Sequence, residues 1–277
     1  MPAADPAAVP SLLEPVATIG VPRSPLRDTL RRLFHNRNGL TGIFILGLLV
    51  AVAILAAPIA PFDPLRPLPD VKRRTPPCIH LLGCPASQPQ HLFGIDGNSR
   101  DLFSRVVFGS RLSLQIGIAS VGFAIVIGTV LGAVAGFLGG WVDNIIMRLM
   151  DVLLAFPSLL LALAIVTVLG PGLINALLAI GFVSIPVYAR IVRASVLSVK
   201  ELDYVAADRA LGASEARILF HRILPNALTP LIVQGTVGIA WAILDAAALG
   251  FVGLGAEVPT PEWGLMLAEE RNSVFNT

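Results

Sequence analysis

The sequence predicts an all-helical protein that crosses a membrane several times. Of its 277 residues, 55% are hydrophobic and only 14% are charged, whereas a soluble domain has about 25% charged residues. The charges are also clustered, since none lies between Asn38 and Phe62, between Arg111 and Asp143, or between Asp151 and Arg190. A crossing needs about 20 apolar helical residues, so these intervals predict membrane spans and disfavour a soluble helical bundle.

The first 39 residues predict a non-spanning approach to the membrane. Residues 1–22 contain acidic residues and repeated prolines and lack the basic start of a signal peptide, so we expect a disordered cytoplasmic tail. Residues 23–39 place leucines on one helical face and arginines on the other, which is typical of an amphipathic helix on a membrane surface. This basic flank predicts a cytoplasmic N-terminus.

Five candidate spans follow. The first is predicted at 40–61 and is followed by an outer loop at 62–110. The core, 111–255, contains the other four, predicted near 112–137, 152–169, 173–189 and 228–249. Residues 256–277 are too polar to cross and form a predicted outer C-terminal segment.

Prolines and glycines mark the core spans. Pro157 and Pro186 fall inside the third and fourth spans, where membrane helices tolerate kinks. Gly128, Gly132 and Gly136 recur at every fourth residue, which permits close helix–helix approach. The spacing fits packing within the chain or against a partner subunit.

The outer loop contains both cysteines of the chain. Cys78 and Cys84 frame the sequence CIHLLGC. An oxidising compartment favours a disulfide between them. A metal site that includes His80 is the weaker alternative, and no metal site is predicted elsewhere.

A charged segment, residues 195–227, interrupts the spans on the predicted cytoplasmic side; we call it the polar loop. Leu202, Val205 and Ala206 share an apolar face at i, i+3 and i+4, Gly212 supplies a helix stop and Ser214 is a candidate N-cap. A second apolar stripe, which Pro225 should end, comprises Ala216, Leu219, Phe220 and Ile223. Either the ends of the spans and lipid cover these stripes, or a cytoplasmic partner does.

The polar loop resembles the EAA loop of ABC-importer permeases. The likeness extends from Arg23 to Leu267 and includes HLFGIDGNSRDLFSRVVFGSRLSLQIG, DYVAADRALGAS, LPNALTPLIVQ and AILDAAALGFVGLGAEVPTPEWGLML. These blocks are similar to the dipeptide/oligopeptide branch, its DppC/OppC-type subunit. The resemblance implies a type I ABC importer transmembrane domain, with six spans expected where this chain has five candidates. It also implies a coupling loop that docks on an ATPase through Ala206, Ala207, Asp208, Gly212, Ala213, Ser214, Leu224 and Pro225.

Three residues depart from the pattern of that loop. Ala206 occupies the position of its acidic residue, Asp208 that of its third small residue and Arg222 that of its isoleucine. We interpret these departures as tuning of the docking contact.

The same resemblance implies a peptide permease of the bacterial plasma membrane that works by alternating access. Its expected partners are a second, homologous permease subunit, two ATPase subunits that bind ATP and Mg²⁺, an extracellular substrate-binding protein, peptide and the lipid bilayer. The sequence alone leaves open a same-fold permease for nickel or another small solute, and a non-transporting membrane scaffold that docks a cytoplasmic protein.

Chemistry-bearing residues are few. No phosphate-binding loop and no nucleophile–base pair is visible, so the chain is not expected to be an enzyme or to bind a cofactor, and its net charge of +2 indicates no nucleic acid. Asp245 lies in the predicted fifth span. An acidic residue there serves either as a structural hydrogen-bonding group or as part of a translocation path or gate. Phe156, Pro157 and Ser158 are further candidates for the path.

Overall fold

The computed structural model describes residues 36–69, 71–85 and 87–276. The predicted tail at 1–22 and most of the amphipathic segment at 23–39 lie outside these residues. The chain divides into two compact units, Met1–Leu48 and Leu49–Thr277. Within the described residues the regular structure is helical, and the only β-type contacts are the isolated bridges Cys78–His91 and Ile95–Asp101.

Helices account for most of the described chain. In order they are α1 (Arg37–Ile54), α2 (Ala56–Ile59), α3 (Leu102–Leu138), α4 (Gly140–Leu154), α5 (Ser158–Leu169), α6 (Leu173–Lys200), α7 (Asp203–Ala210), α8 (Glu215–Ile218), α9 (Leu224–Ala227), α10 (Thr229–Val252) and α11 (Trp263–Asn276). A 3₁₀ turn at His80–Leu82 and a π turn at Leu219–Ile223 complete the regular structure of that part of the chain. Four helices, α1, α3, α6 and α10, are long and apolar enough to cross a membrane, and a fifth crossing is reached if α4 and α5 form one bent span.

The centre of the second unit is the packing of α3 against α6, and glycine permits it. A Cβ atom built on Gly128 would lie 2.7 Å from the Cβ of Tyr188, and one built on Gly136 would lie 2.9 Å from the carbonyl oxygen of Arg193. Gly132 faces the backbone of α6 in the same way. Of the two interpretations of the glycine repeat, the structure therefore supports packing within the chain.

Helix α3 begins earlier than the predicted second span. The sequence placed the start near residue 112, but the helix starts at Leu102 and covers 37 residues, a length of about 55 Å. Asp101 is its N-cap, and the carboxylate accepts the backbone N–H of Ser104 at 2.8 Å. Since this length exceeds the hydrocarbon thickness of about 30 Å, the charged first turns can extend beyond the apolar layer.

The predicted third span is not one continuous helix. Helices α4 and α5 meet at a 90° bend, with the break at residues 155–157. Pro157 is the N-cap of α5 and has a ψ of 128°. Helix α4 cannot continue through it, because proline has no backbone N–H to donate and its ring clashes with the preceding turn. The 12 residues of α5 extend only about 18 Å, too short to cross alone.

Two ion pairs join α4 to α6. The Arg193 guanidinium donates two hydrogen bonds, each 2.5 Å, to the carboxylate of Asp143. Arg190 donates to Asp151 at 2.5 Å. Helix α6 itself contains Pro186 and continues to Lys200, well past the predicted end of the fourth span at 189.

Helix α11 forms within the predicted outer C-terminal segment and packs against α10. Glu262, which precedes it and is buried, accepts the backbone N–H groups of Gly264 at 2.9 Å and Leu265 at 2.8 Å. Burial raises the pKa of Glu262, and these two N–H groups oppose that shift with a smaller effect.

Candidate functional site

The polar loop folds as two short helical arms joined at a glycine. The first arm, α7, ends before Gly212, whose φ of +81° is the left-handed conformation that favours glycine. Ser214 has the backbone of an N-cap for α8 but makes no side-chain capping hydrogen bond. Of the predicted apolar face of this arm, Val205 is fully buried and joins the hydrophobic core of the second unit, whereas Leu202 is 45% exposed and Ala206 is also exposed.

Pro225 does not end the second arm, which is a correction to the sequence analysis. The chain passes from α8 through the π turn into α9, and Pro225 occupies the first turn of α9, where its missing N–H has no helical partner to lose. The π turn, with its wider i to i+5 spacing, absorbs the irregularity that the proline imposes.

The π turn also changes which residues of the second arm are buried. The predicted stripe contained Ala216, Phe220 and Ile223, yet Ala216 and Phe220 are exposed. Ile218 and Ile223 enter the core instead. These two residues are five positions apart and stand on either side of the π turn's first residues, a spacing that the i to i+4 pattern of an α-helix does not bring to one face.

Two of the three departures from the family pattern contact each other. The Arg222 guanidinium donates to the Asp208 carboxylate at 2.6 Å, which links the two arms of the polar loop. A second link joins Arg209 to Glu215 through hydrogen bonds of 2.8 and 3.1 Å. The bond from Arg209 lowers the pKa of Glu215, and the same bond raises the pKa of Arg209.

The polar loop presents apolar and basic surface to its surroundings. Leu211 is 86% exposed and Phe220 61% exposed. Between the arms lies a groove of about 530 Å³, lined by Asp208, Leu211, Gly212, Ala213, Arg217, Ile218, His221 and Arg222. Among the described residues, Arg217 and His221 have no hydrogen-bond or ion-pair partner. Ala206, Ala207 and Pro225, three of the docking residues that the family resemblance implies, are exposed on the same loop.

Asp245 faces a second cavity, of about 250 Å³, inside the helical bundle. Its wall consists of the α4–α5 break, α6 and α10: Leu153, Leu154, Phe156, Ser158, Val183, Ser184, Val187, Tyr188, Gln234, Gly238, Trp241, Ala242 and Asp245. Two of the three path candidates from the sequence, Phe156 and Ser158, are in this wall; Pro157 is not. In the part of the chain that the structure describes, no hydrogen bond to Asp245 is present, so a structural hydrogen-bonding role has no support there.

A buried charge network was missed by the sequence analysis. It comprises Asp96, Arg100, Arg105 and Glu269, and both arginines are at most 2% exposed. Arg100 and Arg105 each donate to Glu269, at 2.9 and 2.8 Å, which ties the beginning of α3 to α11. The signal available in sequence was the density of charges from Asp96 to Arg105, which we placed in a loop instead of at a helix start.

The structure joins Cys78 and Cys84 in a disulfide, with their Cα atoms 5.4 Å apart. The Nε2 atom of His80 lies 2.8 Å from the carbonyl oxygen of Gln88. Within residues 36–69, 71–85 and 87–276, no group of three metal-binding side chains occurs.

Comparison with known proteins gives this architecture a family. The model described as the binding-protein-dependent transport system inner membrane component matches residues 128–275, more than half of the chain. The chain belongs to this family. A second model, the N-terminal TM domain of oligopeptide transport permease C, matches residues 24–77 of the same permease. The permease is therefore a multi-pass inner-membrane protein.

Curated relatives match this permease over nearly its whole length. It is 45% identical to the dipeptide transport system permease protein DppC of Alkalihalophilus pseudofirmus, over 91% of this chain and 79% of the relative. It is 45% identical to the di/tripeptide transport system permease protein DppC of Pseudomonas aeruginosa, over 97% and 84%. The glutathione transport system permease protein GsiD of Pectobacterium atrosepticum is 42% identical, over 91% and 80%.

A solved structure shares the fold. The inward-facing methionine ABC transporter MetNI aligns with a TM-score of 0.53 at 22% identity, over 62% of this chain and 83% of that chain. The permease therefore has the transmembrane fold of a type I ABC importer.

Proposed function

We propose that this chain is one permease subunit of an ATP-driven importer that moves di- or oligopeptides across the inner membrane by alternating access. Relatives at 45% identity are named dipeptide and di/tripeptide permeases, and one at 42% identity is named for glutathione, itself a tripeptide. All three names belong to one chemical class of cargo. Membership of a binding-protein-dependent family supports an external substrate-binding protein as the source of that cargo.

The observation that carries the proposal is the polar loop with its exposed face. Leu211 is 86% exposed and Phe220 61% exposed on the same loop as basic groups that have no partner among the described residues, which supports a partner surface that covers them. The groove between the arms fits an apolar or acidic side chain of a partner, as in helix-in-groove recognition. We propose that this partner is an ATPase subunit, that two such subunits bind ATP and Mg²⁺, and that a second, related permease completes the path.

In this mechanism the polar loop transmits movement. Closure of the ATPase pair on ATP would displace the loop, and the core contacts of Val205, Ile218 and Ile223 would pass that displacement to α6 and α10. The two ion pairs link the two arms of the loop, so the arms would move together and pass the displacement to the spans. The bundle then changes which side of the membrane its cavity opens to.

The test is uptake by the reconstituted complex of both permeases, the ATPases and the binding protein. We expect ATP-dependent uptake of dipeptides, and its loss on deletion of residues 204–225 or on Gly212→Pro, because proline cannot adopt a φ of +81°. Membrane insertion of each variant is verified by protease protection. Unchanged uptake by the deletion variant contradicts the proposal. Nickel uptake without peptide uptake contradicts the cargo, and ATPase binding without any transport indicates a scaffold.

A further inference from the structure

The cavity beside Asp245 is built from one continuous face of α10. Gln234, Gly238, Trp241 and Asp245 follow one another at intervals of three or four residues, so they share a side of the helix, and they line the cavity together with Ala242, which is next to Trp241. The break between α4 and α5 supplies the opposing wall, including Phe156 and Ser158. The cavity thus lies where the bundle interrupts a helix, a place where membrane proteins keep polar ligands.

Most polar side chains of this wall make no hydrogen bond within the described chain. Among the described residues, Asp245, Ser158, Tyr188 and Gln234 make no side-chain hydrogen bond with one another or with the backbone. Ser184 differs, because its hydroxyl donates to the carbonyl of Ile180 at 2.8 Å. Several groups that can accept a hydrogen bond therefore face one small volume.

No cation of the described chain neutralises Asp245. The two arginines of α6 nearest in sequence to the cavity wall are engaged elsewhere, Arg190 with Asp151 and Arg193 with Asp143. An ionised carboxylate inside a membrane bundle is costly without a positive partner. A positively charged ligand group would therefore compensate Asp245 in its ionised form.

Two aromatic rings define what kind of cation fits. Phe156 is 55% exposed and Trp241 63% exposed, and both line the cavity. An ammonium group gains from aromatic faces as well as from a carboxylate. A metal ion is the poorer fit, since the described residues hold no cluster of three metal-binding side chains there or elsewhere.

We infer that Asp245 and Trp241 form a subsite for the N-terminal ammonium group of the transported peptide. The inference rests on the proposed function, because it assigns the recognition chemistry to peptide cargo. The N-terminal ammonium is shared by all unmodified peptides whatever their side chains, so such a subsite accepts the whole class. Ser158 and Gln234 can accept the remaining N–H bonds of the same group.

The experiment compares two substrates in the reconstituted importer. One is a dipeptide, and the other is its analogue with a hydroxyl in place of the N-terminal ammonium, each supplied at a concentration that saturates the binding protein. The measured quantity is the ratio of the two uptake rates. Because the binding protein is identical throughout, a change of this ratio between wild type and variant isolates the contact of Asp245 with the ammonium.

The expected results differ between variants. Asp245→Asn should lower the preference for the dipeptide about tenfold, since a hydrogen bond to a charged group is lost. Asp245→Glu should keep most of the preference. Trp241→Leu, which leaves the carboxylate in place, should lower it about two- to fivefold. Leu244→Ala, on another side of α10, should leave it unchanged and is the matched control.

The outcomes separate this inference from the proposed function. Wild-type complex that imports neither substrate contradicts the proposed function. Wild-type import with the same preference in Asp245→Asn and Trp241→Leu overturns the ammonium subsite, even if total uptake falls in both. Loss of preference in both variants, with retention in Asp245→Glu, supports it.

Discussion

The polar loop and the buried charge network use charged residues in opposite ways. In the network, Arg105 is 1% exposed and its guanidinium lies against acceptors from three separate parts of the chain: Pro64, Pro259 and Glu269. In the polar loop, the Arg209–Glu215 pair has both side chains about half exposed, and Arg217 has no partner within the described chain. The charges of the network are buried and paired within the chain, whereas those of the polar loop are largely exposed to solvent.

The contrast indicates different roles for the two regions: the network holds helices together, and the polar loop is suited to binding another protein. Buried charges whose hydrogen bonds are all made within the chain have nothing left to offer a ligand, so the network positions α3 against α11. The exposed loop has apolar and basic groups that remain available. These groups can therefore contribute to the free energy of binding another protein. Stability assays should therefore respond to the first region, and transport assays to the second.

The largest effect is expected for Arg105→Ala in the network. Removal of the guanidinium leaves Glu269 and Asp96 buried with less compensation, and breaking a buried pair in this way costs about 3–5 kcal/mol. The prediction is a large fall in the thermal unfolding midpoint of the detergent-solubilised permease. Arg66→Ala is the matched control, because the Arg66–Asp63 pair is exposed, and we expect its midpoint to stay near that of wild type. Equal midpoints for the two variants would show that the network contributes no stability.

The second prediction concerns Leu211→Asp in the polar loop. We expect an unchanged unfolding midpoint, because Leu211 is 86% exposed. We also expect at least a tenfold loss of ATPase co-purification, because binding would bury an unpaired carboxylate where the wild type buries an apolar side chain. Leu81→Asp is the control, since Leu81 is 94% exposed and lies in the disulfide loop. If both variants bind the ATPase as wild type does, Leu211 is not part of the docking surface.

The sequence predicted the elements whose signal is local and periodic. Uncharged intervals located the spans, and Gly212 was correctly placed at a positive-φ helix stop because few other residues adopt that conformation. The bend at Pro157 was missed because a proline in an apolar run is compatible with a kinked span as well as with a helix break. The π turn shifted burial from Phe220 to Ile218, and a 3.6-residue period cannot anticipate it.

The buried charge network depended on contacts that sequence spacing does not contain. Arg100 and Glu269 are separated by 169 residues, and only the packing of α11 on the bundle brings them together. The pairing of Asp208 with Arg222 was likewise hidden, although both had been noted as departures from the family pattern. The structure shows that these two departures form one ion pair across the polar loop.

The third prediction is a double-mutant cycle on Asp208 and Arg222. Each alanine variant should destabilise the loop by only about 0.5 kcal/mol, because Arg222 is 56% exposed and Asp208 is partly exposed. The double variant should destabilise it by less than the sum, because the two side chains contact each other. Hydrogen exchange of the α7 amides is the appropriate measurement, since global unfolding would not resolve so small a change. Additive effects of the two substitutions would contradict the contact. A coupling energy of several kcal/mol between Asp208 and Arg222 would mean that this pair stabilises the protein as strongly as a buried pair does, which contradicts the contrast with the network.

The smallest effect is a pH dependence of opposite sign for two carboxylates, the buried Glu262 that precedes α11 and the exposed Glu215 in the polar loop. Burial raises the pKa of Glu262 above its ordinary value of 4.5, so the folded state binds this proton more tightly than the unfolded chain. Its contribution to stability is present below that value and is lost as the pH rises toward the folded pKa. The hydrogen bond from Arg209 lowers the pKa of Glu215, so its contribution is present above 4.5 and is lost as the pH falls through the lowered pKa. Over a pH range that extends to either side of 4.5, wild type should therefore lose stability relative to Glu262→Gln as the pH rises above 4.5, and should lose stability relative to Glu215→Gln as the pH falls below 4.5. Unfolding midpoints of the three proteins across that range test the signs, and parallel slopes would mean that the two carboxylates do not differ in environment.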